Sequence, residues 1–353
     1  MIFLICVQKL FFNMKKLFTI GVCIAAMIAC TPTKQSTIDT TLQTKVDSIL
    51  HNKMSEINAI SGQAIVMEVQ TGEIKAMVGN GVSQESGLIR TASLLAALET
   101  GKVKLSDTVD VGEGVYMVHD RPLLDHNWHR GGYGLIDGLK TIMVNSHIGN
   151  YKLTKRAFEE EQDYFDMLDQ MSYGQPENIE GHDSLKAAYF VTPKDSGWSN
   201  TALAWFCIGY NQQISPIQML TFYNAIANEG KMVKPLLYKG ETEVINPQIA
   251  SKANIDSLQM ALIKVVNEGL GKPAQSEKIQ VAGVSGGCQL STEEDDSEGR
   301  VNTMYAVEFC GYFPADVPKY SIIVRMNKKG LPASGGVMAG SVFSQIVDCM
   351  ATK

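Results

Sequence analysis

Ser86 stands four residues ahead of Arg90, and both precede an apolar run, "TASLLAALETG", that ends at Gly101. A serine hydroxyl at the head of a buried helix can serve acyl transfer, attacking a carbonyl once a neighbouring base has taken its proton. Arg90 cannot be that base, because a guanidinium keeps its proton. It can hold a carboxylate through two parallel N–H bonds, or pair with a nearby acid on the surface. Ser86 equally suits a helix cap, accepting a backbone N–H. Thr91 and Ser93 are further hydroxyls along the same helix. Cys288 offers a thiol, but with no obvious cation to activate it the residue reads as an inert strand position. "DHNWH" brings Asp125, His126 and His129 close together, either as metal ligands or as a polar loop before a glycine turn. The loop reading is adopted, and neither a metal nor another cofactor is expected. His147 could titrate near neutral pH or act as a hydrogen-bonding pocket residue.

These residues need a scaffold, and the apolar periods supply one. "VDSILHNKMSEI" has helical spacing, and "GQAIVMEVQTGEIKAMVG" reads as two apolar strands around a "QTGE" turn. "TASLLAALETG" is apolar all round, which places it inside the domain, and Gly101 suits its C-terminal stop. The stretch 125–153 runs through a glycine turn into a helix and then a loop. Residues 156–172 and 216–229, and part of 245–269, have helical patterns. The end is β-rich, in "IQVAGVSGG", "VNTMYAVEFCGYF" and "YSIIVRMNK", before a helix over 338–350. The acidic stretch 291–300 should be an exposed loop between two strands. Strands at both ends with helices between them predict an α+β domain, in which the early hairpin joins the late strands in one antiparallel sheet.

The chain has 353 residues, with 45% hydrophobic and 19% charged, enough to build a sizeable core. A net charge of −6 gives no footprint for nucleic acid. Beyond residue 29 the balance is 28 basic against 37 acidic residues, a body that an anionic membrane surface would repel. The N-terminus is different. From Met14, "MKKLFTIGVCIAAMIAC" runs from two lysines through 13 apolar or small residues to Cys30, the pattern of an export signal too short to span a bilayer. Residues 1–30 are assigned to that signal, 31–45 to a Thr/Gln-rich flexible tether, and 46–353 to the folded domain. Cys207, Cys288, Cys310 and Cys349 match no disulfide framework and read as single buried thiols.

Several stretches resemble the transpeptidase domain of class B penicillin-binding proteins. "AIVMEVQTGEIKAMV" is similar to the opening hairpin of that family, and "SLLAALETGKV" to the helix behind its nucleophile. "GYNQQISPIQMLTFYNAIANEGKMVKP" is the most specific match, and "VAGVSGG" and "FCGYFPADVPKYSIIV" resemble the last strands. The resemblance covers about residues 62 to 350 and implies a five-stranded antiparallel sheet beside a helical subdomain. "MIAC" likewise resembles a bacterial lipobox, which would make Cys30 a lipid attachment site and anchor the exported protein to a membrane of the cell envelope.

The resemblance also implies three motifs: Ser-x-x-Lys for attack and proton removal, Ser-x-Asn to orient the lysine and substrate, and Lys-Thr-Gly to hold the substrate carboxylate. Aligned through the flanking residues, the first falls on Gly87 and Arg90, the second on Asn145, Ser146 and His147, and the third on Val284, Ser285 and Gly286. No Ser-x-x-Lys, Ser-x-Asn, Lys-Ser-Gly or Lys-Thr-Gly occurs anywhere in the chain. Nucleophile and base act as a unit, so losing either forfeits nearly all the acceleration. The expectation is a catalytically inactive envelope lipoprotein that binds peptidoglycan stem peptides or cell-wall synthesis proteins. The competing expectation is an active D,D-transpeptidase with an unconventional nucleophile.

Overall fold

In a computed structural model the described residues are 34–293 and 302–351. The signal segment, Cys30, residues 31–33 and most of the acidic stretch lie outside them; residues 291–293 of that stretch already belong to a strand.

From the N-terminus the elements are α1 (Thr40–Glu56), β1 (Ala59–Glu68), β2 (Ile74–Gly79) and α2 (Ile89–Glu99), followed by β3 (Thr108–Gly112), β4 (Val115–Val118), β5 (Arg121–Leu124) and β6 (Gly134–Asp137). The helical part continues with α3 (Gly138–Met143), α4 (His147–Ala157), α5 (Glu161–Gln170), β7 (Tyr189–Phe190), α6 (Ala202–Phe206), β8 (Gln212–Gln213) and α7 (Pro216–Ala227). Then come β9 (Met232–Val233), β10 (Val244–Asn246), α8 (Lys252–Glu268), β11 (Ala282–Glu293), β12 (Asn302–Phe313), β13 (Tyr320–Lys329) and α9 (Ser341–Met350). The main sheet is five-stranded in the order β11-β12-β13-β1-β2, and every neighbouring pair is antiparallel. The early hairpin therefore joins the late strands, as the strand pattern predicts.

Alternation along the strands divides two cores. Ile65, Met67 and Ile323 face a core shared with α2, α7 and α8. Ala64, Val66, Ile322, Val324 and Met326 face a second core shared with α1 and α9. The tether expected over 31–45 ends early for this reason. Leu42, Val46 and Leu50 recur at i, i+4, i+8 and are all buried against the sheet. Asp39 caps α1 by accepting from Leu42 N at 2.9 Å, and the Thr37 hydroxyl donates to Ile74 O at 2.9 Å.

Two helices set the middle of the domain. All of α2 from Ile89 to Leu98 is buried, with Gly101 (φ +70°) just past its end. Each fully buried Leu or Ile there contributes about 1.5–3 kcal/mol. All twelve residues of α7 are buried as well. It opens on Pro216 and a capping box in which Ser215 and Gln218 exchange hydrogen bonds. Tyr223 Oη on α7 donates to Leu88 O at 2.9 Å and lies 2.7 Å from Thr91 Oγ1, so α7 grips the head of α2. Asn224 on α7 donates to Val69 O, and Ser321 on β13 donates back to Asn224 Oδ1.

Three sequence expectations change in the helical part. The loop expected after α3 is the helix α4: Asn145, at φ +55°, breaks the chain direction, and Ser146 caps the new start. The helix expected over 156–172 contracts to α5, because Phe158 and Glu160 are extended. The final helix is preceded by one wide turn over Gly335–Gly340. Among the described residues no helix is long and apolar enough to cross a membrane.

Candidate functional site

The head of α2 is held by a carboxylate that motif reasoning does not single out. Glu308 lies on β12, directly opposite Gly286 on β11 and Arg325 on β13. It is 0% exposed. Ser86 donates to Glu308 Oε1 at 2.9 Å and lies 3.0 Å from Oε2. The backbone N–H of Gly87 donates to Glu308 Oε2 at 3.1 Å. Arg325 Nε faces Oε1 at 3.4 Å, and its Nη2 donates to Glu85 O. An acid at a helix N-terminus meets unpaired N–H groups and the positive end of the dipole. Ser86 does accept a backbone N–H, from Leu88 at 3.4 Å, but its own O–H donates to Glu308. A single acid within the apolar "AVEFCGYF", answered by a single arginine in "SIIVRM", was the available signal.

A side chain at Gly87, where the resemblance implies a nucleophile, would start against backbone. A Cβ built on Gly87 would lie 2.6 Å from Gly287 O and 2.8 Å from Gly287 N. A Cβ on Gly286 would meet Leu88 Cγ at 2.8 Å and Glu308 Oε2 at 2.9 Å. The inner edge of β11 thus lies directly on the helix head. Two residues further along, Gln289 N donates to Tyr210 Oη at 3.2 Å. The peptide edge of β11 is met there by the protein's own groups.

The second and third motif positions are tied to one another. Asn145 Nδ2 donates to Ser285 O at 2.8 Å and to Ser285 Oγ at 3.1 Å. Val284 beside it is buried. His147 Nδ1 lies 2.8 Å from Leu124 O, which fixes the proton on that nitrogen. Burial, with the nearby Arg90 charge, pulls the His147 pKa down to about 3. His147 therefore stays neutral across physiological pH, in keeping with the hydrogen-bonding alternative rather than the titrating one.

Arg90 is 6% exposed, not a surface residue. Its Nη1 reaches Ile208 O at 3.5 Å, the limit of a hydrogen bond. Its Nε has no hydrogen-bond partner among the described residues. Neither a surface ion pair nor an open carboxylate clamp describes it. Together with Leu94, Ile142, Asn145, Ser146 and Asn150 it lines a small cavity of about 10 Å³, room for one water-sized particle.

The other hydroxyls and thiols are similarly committed. Thr91 Oγ1 lies 2.7 Å from Tyr223 Oη, and Ser93 Oγ lies 2.7 Å from Tyr164 Oη, both in full burial. Burial and the Glu308 charge push the Cys288 thiol far above its ordinary range, and burial pushes Cys207 up to about 12. Neither forms a thiolate at neutral pH. Cys207, Cys288 and Cys310 are free and buried. Asp125 serves structure: its oxygens accept from Ser146 Oγ at 2.7 Å and from Ile148 N at 3.1 Å, fixing the start of α4. His126 turns to Tyr133 Oη at 3.1 Å, and His129 lies edge-on to Trp128. Among the described residues the site thus contains hydroxyls, the buried cations Arg90 and Arg325 and the buried acids Glu308 and Asp125, but no exposed nucleophile beside a proton acceptor.

Comparison with known proteins places this geometry in a family. The family described as penicillin binding protein transpeptidase domain matches residues 62–348. The penicillin-binding protein PbpB of Mycolicibacterium smegmatis is 24% identical, over 89% of this chain and 53% of its own length. The peptidoglycan D,D-transpeptidase FtsI of Buchnera aphidicola is 23% identical, over 88% of this chain and 56% of its own length. The chain thus spans about half the length of these curated relatives. The transpeptidase domain of Burkholderia pseudomallei penicillin-binding protein 3 superposes with a TM-score of 0.77 at 22% identity, covering 90% of this chain and 96% of that one. Penicillin-binding protein 3 of Mycobacterium tuberculosis, complexed with aztreonam, gives 0.75 at 20% identity, covering 91% and 79%. With the five-stranded sheet, the buried central helix and a family match over most of its length, this chain belongs to the penicillin-binding protein transpeptidase domain family.

Proposed function

We propose that this protein is a non-catalytic member of its family in the bacterial cell envelope, exported and lipid-anchored through Cys30, and that it acts in cell-wall synthesis through its outer surface. The observation carrying this reading is the contact of Gly87 with the Gly287 backbone. Acyl transfer needs a nucleophile facing a substrate carbonyl about 3 Å away. Here that volume holds a strand, and the position has no side chain. Stem-peptide binding is disfavoured for the same reason, since Gly87 and Tyr210 sit against the edge of β11. Of the two ligand classes expected from the sequence, cell-wall synthesis proteins fit a filled cleft better than peptidoglycan peptides do.

The competing reading is catalysis by Ser86, favoured by its 2.9 Å contact with Glu308. Ser86 is 1% exposed, and Glu308 already faces Arg325 and the Gly87 N–H. Both Glu308 oxygens are thus already engaged, and Ser86 has no open face for a substrate. Labelling of the full chain in membranes with a fluorescent penicillin separates the two readings. The proposal expects no covalent adduct under conditions that label a catalytic relative. An adduct mapped to Ser86, or to any other side chain, would overturn it.

A further inference from the structure

We propose that the cavity beside Arg90 is a binding site for one monatomic anion, chloride under ordinary conditions. Three independent observations lead there. The first is charge. Two buried guanidinium groups, Arg90 and Arg325, lie around the head of α2, and among the described residues only Arg325 is ion-paired, to Glu308. The other buried carboxylate of this region, Asp125, gives its oxygens to Ser146 and Ile148 and forms no ion pair with Arg90 among the described residues. Arg90 also sits in the first turn of α2, where the helix dipole adds positive potential. A cation left unpaired away from water is strongly unfavourable, and a counter-ion removes that cost.

The second is the orphan donor. Arg90 Nε–H is buried and has no acceptor among the described residues, while Asn150 Nδ2 spends one of its two N–H bonds on Cys207 O. Both residues line the cavity. The third is size. About 10 Å³ admits a single particle near the size of water, so a polyatomic anion is too large and a chloride, somewhat larger than water, enters with a small outward shift of the lining. Water would satisfy the Nε–H but leave the charge uncompensated; a halide answers both. The site lies where the resemblance implies a lysine, so an immobile cation and its counter-ion stand in place of a base that must exchange protons.

The test uses the full chain in detergent, melted across a series from sodium gluconate to sodium chloride at constant ionic strength. Chloride should raise Tm by about 2–5 °C and then saturate, as a bound ligand requires. The dependence should vanish in Arg90→Met. Because that variant could fail to fold, crystals of the unaltered protein grown in sodium bromide give a second readout, an anomalous peak within hydrogen-bonding reach of Arg90 Nε. A melt indifferent to halide, a halide effect that survives in Arg90→Met, or a water with no anomalous signal at that position would each overturn the proposal.

Discussion

Glu308 Oε2 accepts the backbone N–H of Gly87 at 3.1 Å, joining the middle of β12 to the first turn of the central helix. The same carboxylate accepts a hydrogen bond from Ser86 and faces Arg325, so removing it strands several buried groups at once. Glu308→Ala should destabilise the domain by about 3–5 kcal/mol, the range for breaking a buried ion pair from one side. Glu308→Gln keeps an acceptor and should cost less. Urea midpoints measure both, and a loss below about 1 kcal/mol for the alanine variant would show that the clamp is dispensable.

Restoring a hydroxyl at position 87 should not restore chemistry. Gly87→Ser and Gly87→Ala both push a Cβ into the Gly287 backbone, and each should cost about 1–3 kcal/mol by overpacking. Neither the serine variant nor Gly87→Ser combined with Arg90→Lys should be labelled by a fluorescent penicillin. Stable folding with acylation would mean that β11 withdraws readily.

Two tyrosines should respond in opposite directions to loss of their hydroxyls. Tyr223→Phe removes the hydroxyl that bonds Leu88 O and Thr91 Oγ1 and should cost about 1–3 kcal/mol. Tyr312 is equally buried, but its hydroxyl has no partner among the described residues, so Tyr312→Phe should be neutral or stabilising. Equal losses at both sites would refute the assigned hydrogen bonds.

His147 makes stability depend on pH. Its pKa is about 3 in the folded state against an ordinary 6.5. Between those values the unfolded chain binds the extra proton, so the histidine's contribution is complete above pH 6.5 and is lost as pH falls toward 3. The slope is at most about 1.4 kcal/mol per pH unit, trimmed by the partial exposure of the ring. Asp125 works in the opposite sense, since burial raises its pKa and its contribution is lost as pH rises past 3.8. Asp125 is common to both proteins, so the difference between the unaltered chain and His147→Gln isolates the histidine. If the two lose stability in parallel between pH 6.5 and 4, His147 is not held neutral.

Cys30→Ala should release the protein from membranes and abolish incorporation of labelled palmitate. Retention of both would remove the lipid anchor from the proposed function.

Much of the fold is legible because periodicity reports burial directly. The continuous apolar run in "AIVMEV" reads as a buried strand, and "TASLLAALETG" as a helix apolar all round. α1 was harder to read: Leu42 and Val46 carry its spacing, but the Thr/Gln-rich residues around them resemble a linker. Asn145 was read as a motif position, whereas its left-handed backbone, which separates α3 from α4, has no periodic signature. At the site, the glycine at position 87 and the arginine at position 90 were legible because they concern residue type alone. Glu308 was hidden because its importance depends on register: only strand pairing sets it opposite both Gly286 and Arg325.

Strand β13 lends Ile323 to one core and Ile322, Val324 and Met326 to the other. The sheet is therefore a party wall, and neither side can melt while its neighbour stands. Heat or denaturant should open the grip on α2 and the packing of α1 in a single cooperative step. An injury to the outer helices would then be felt at the buried heart of the domain.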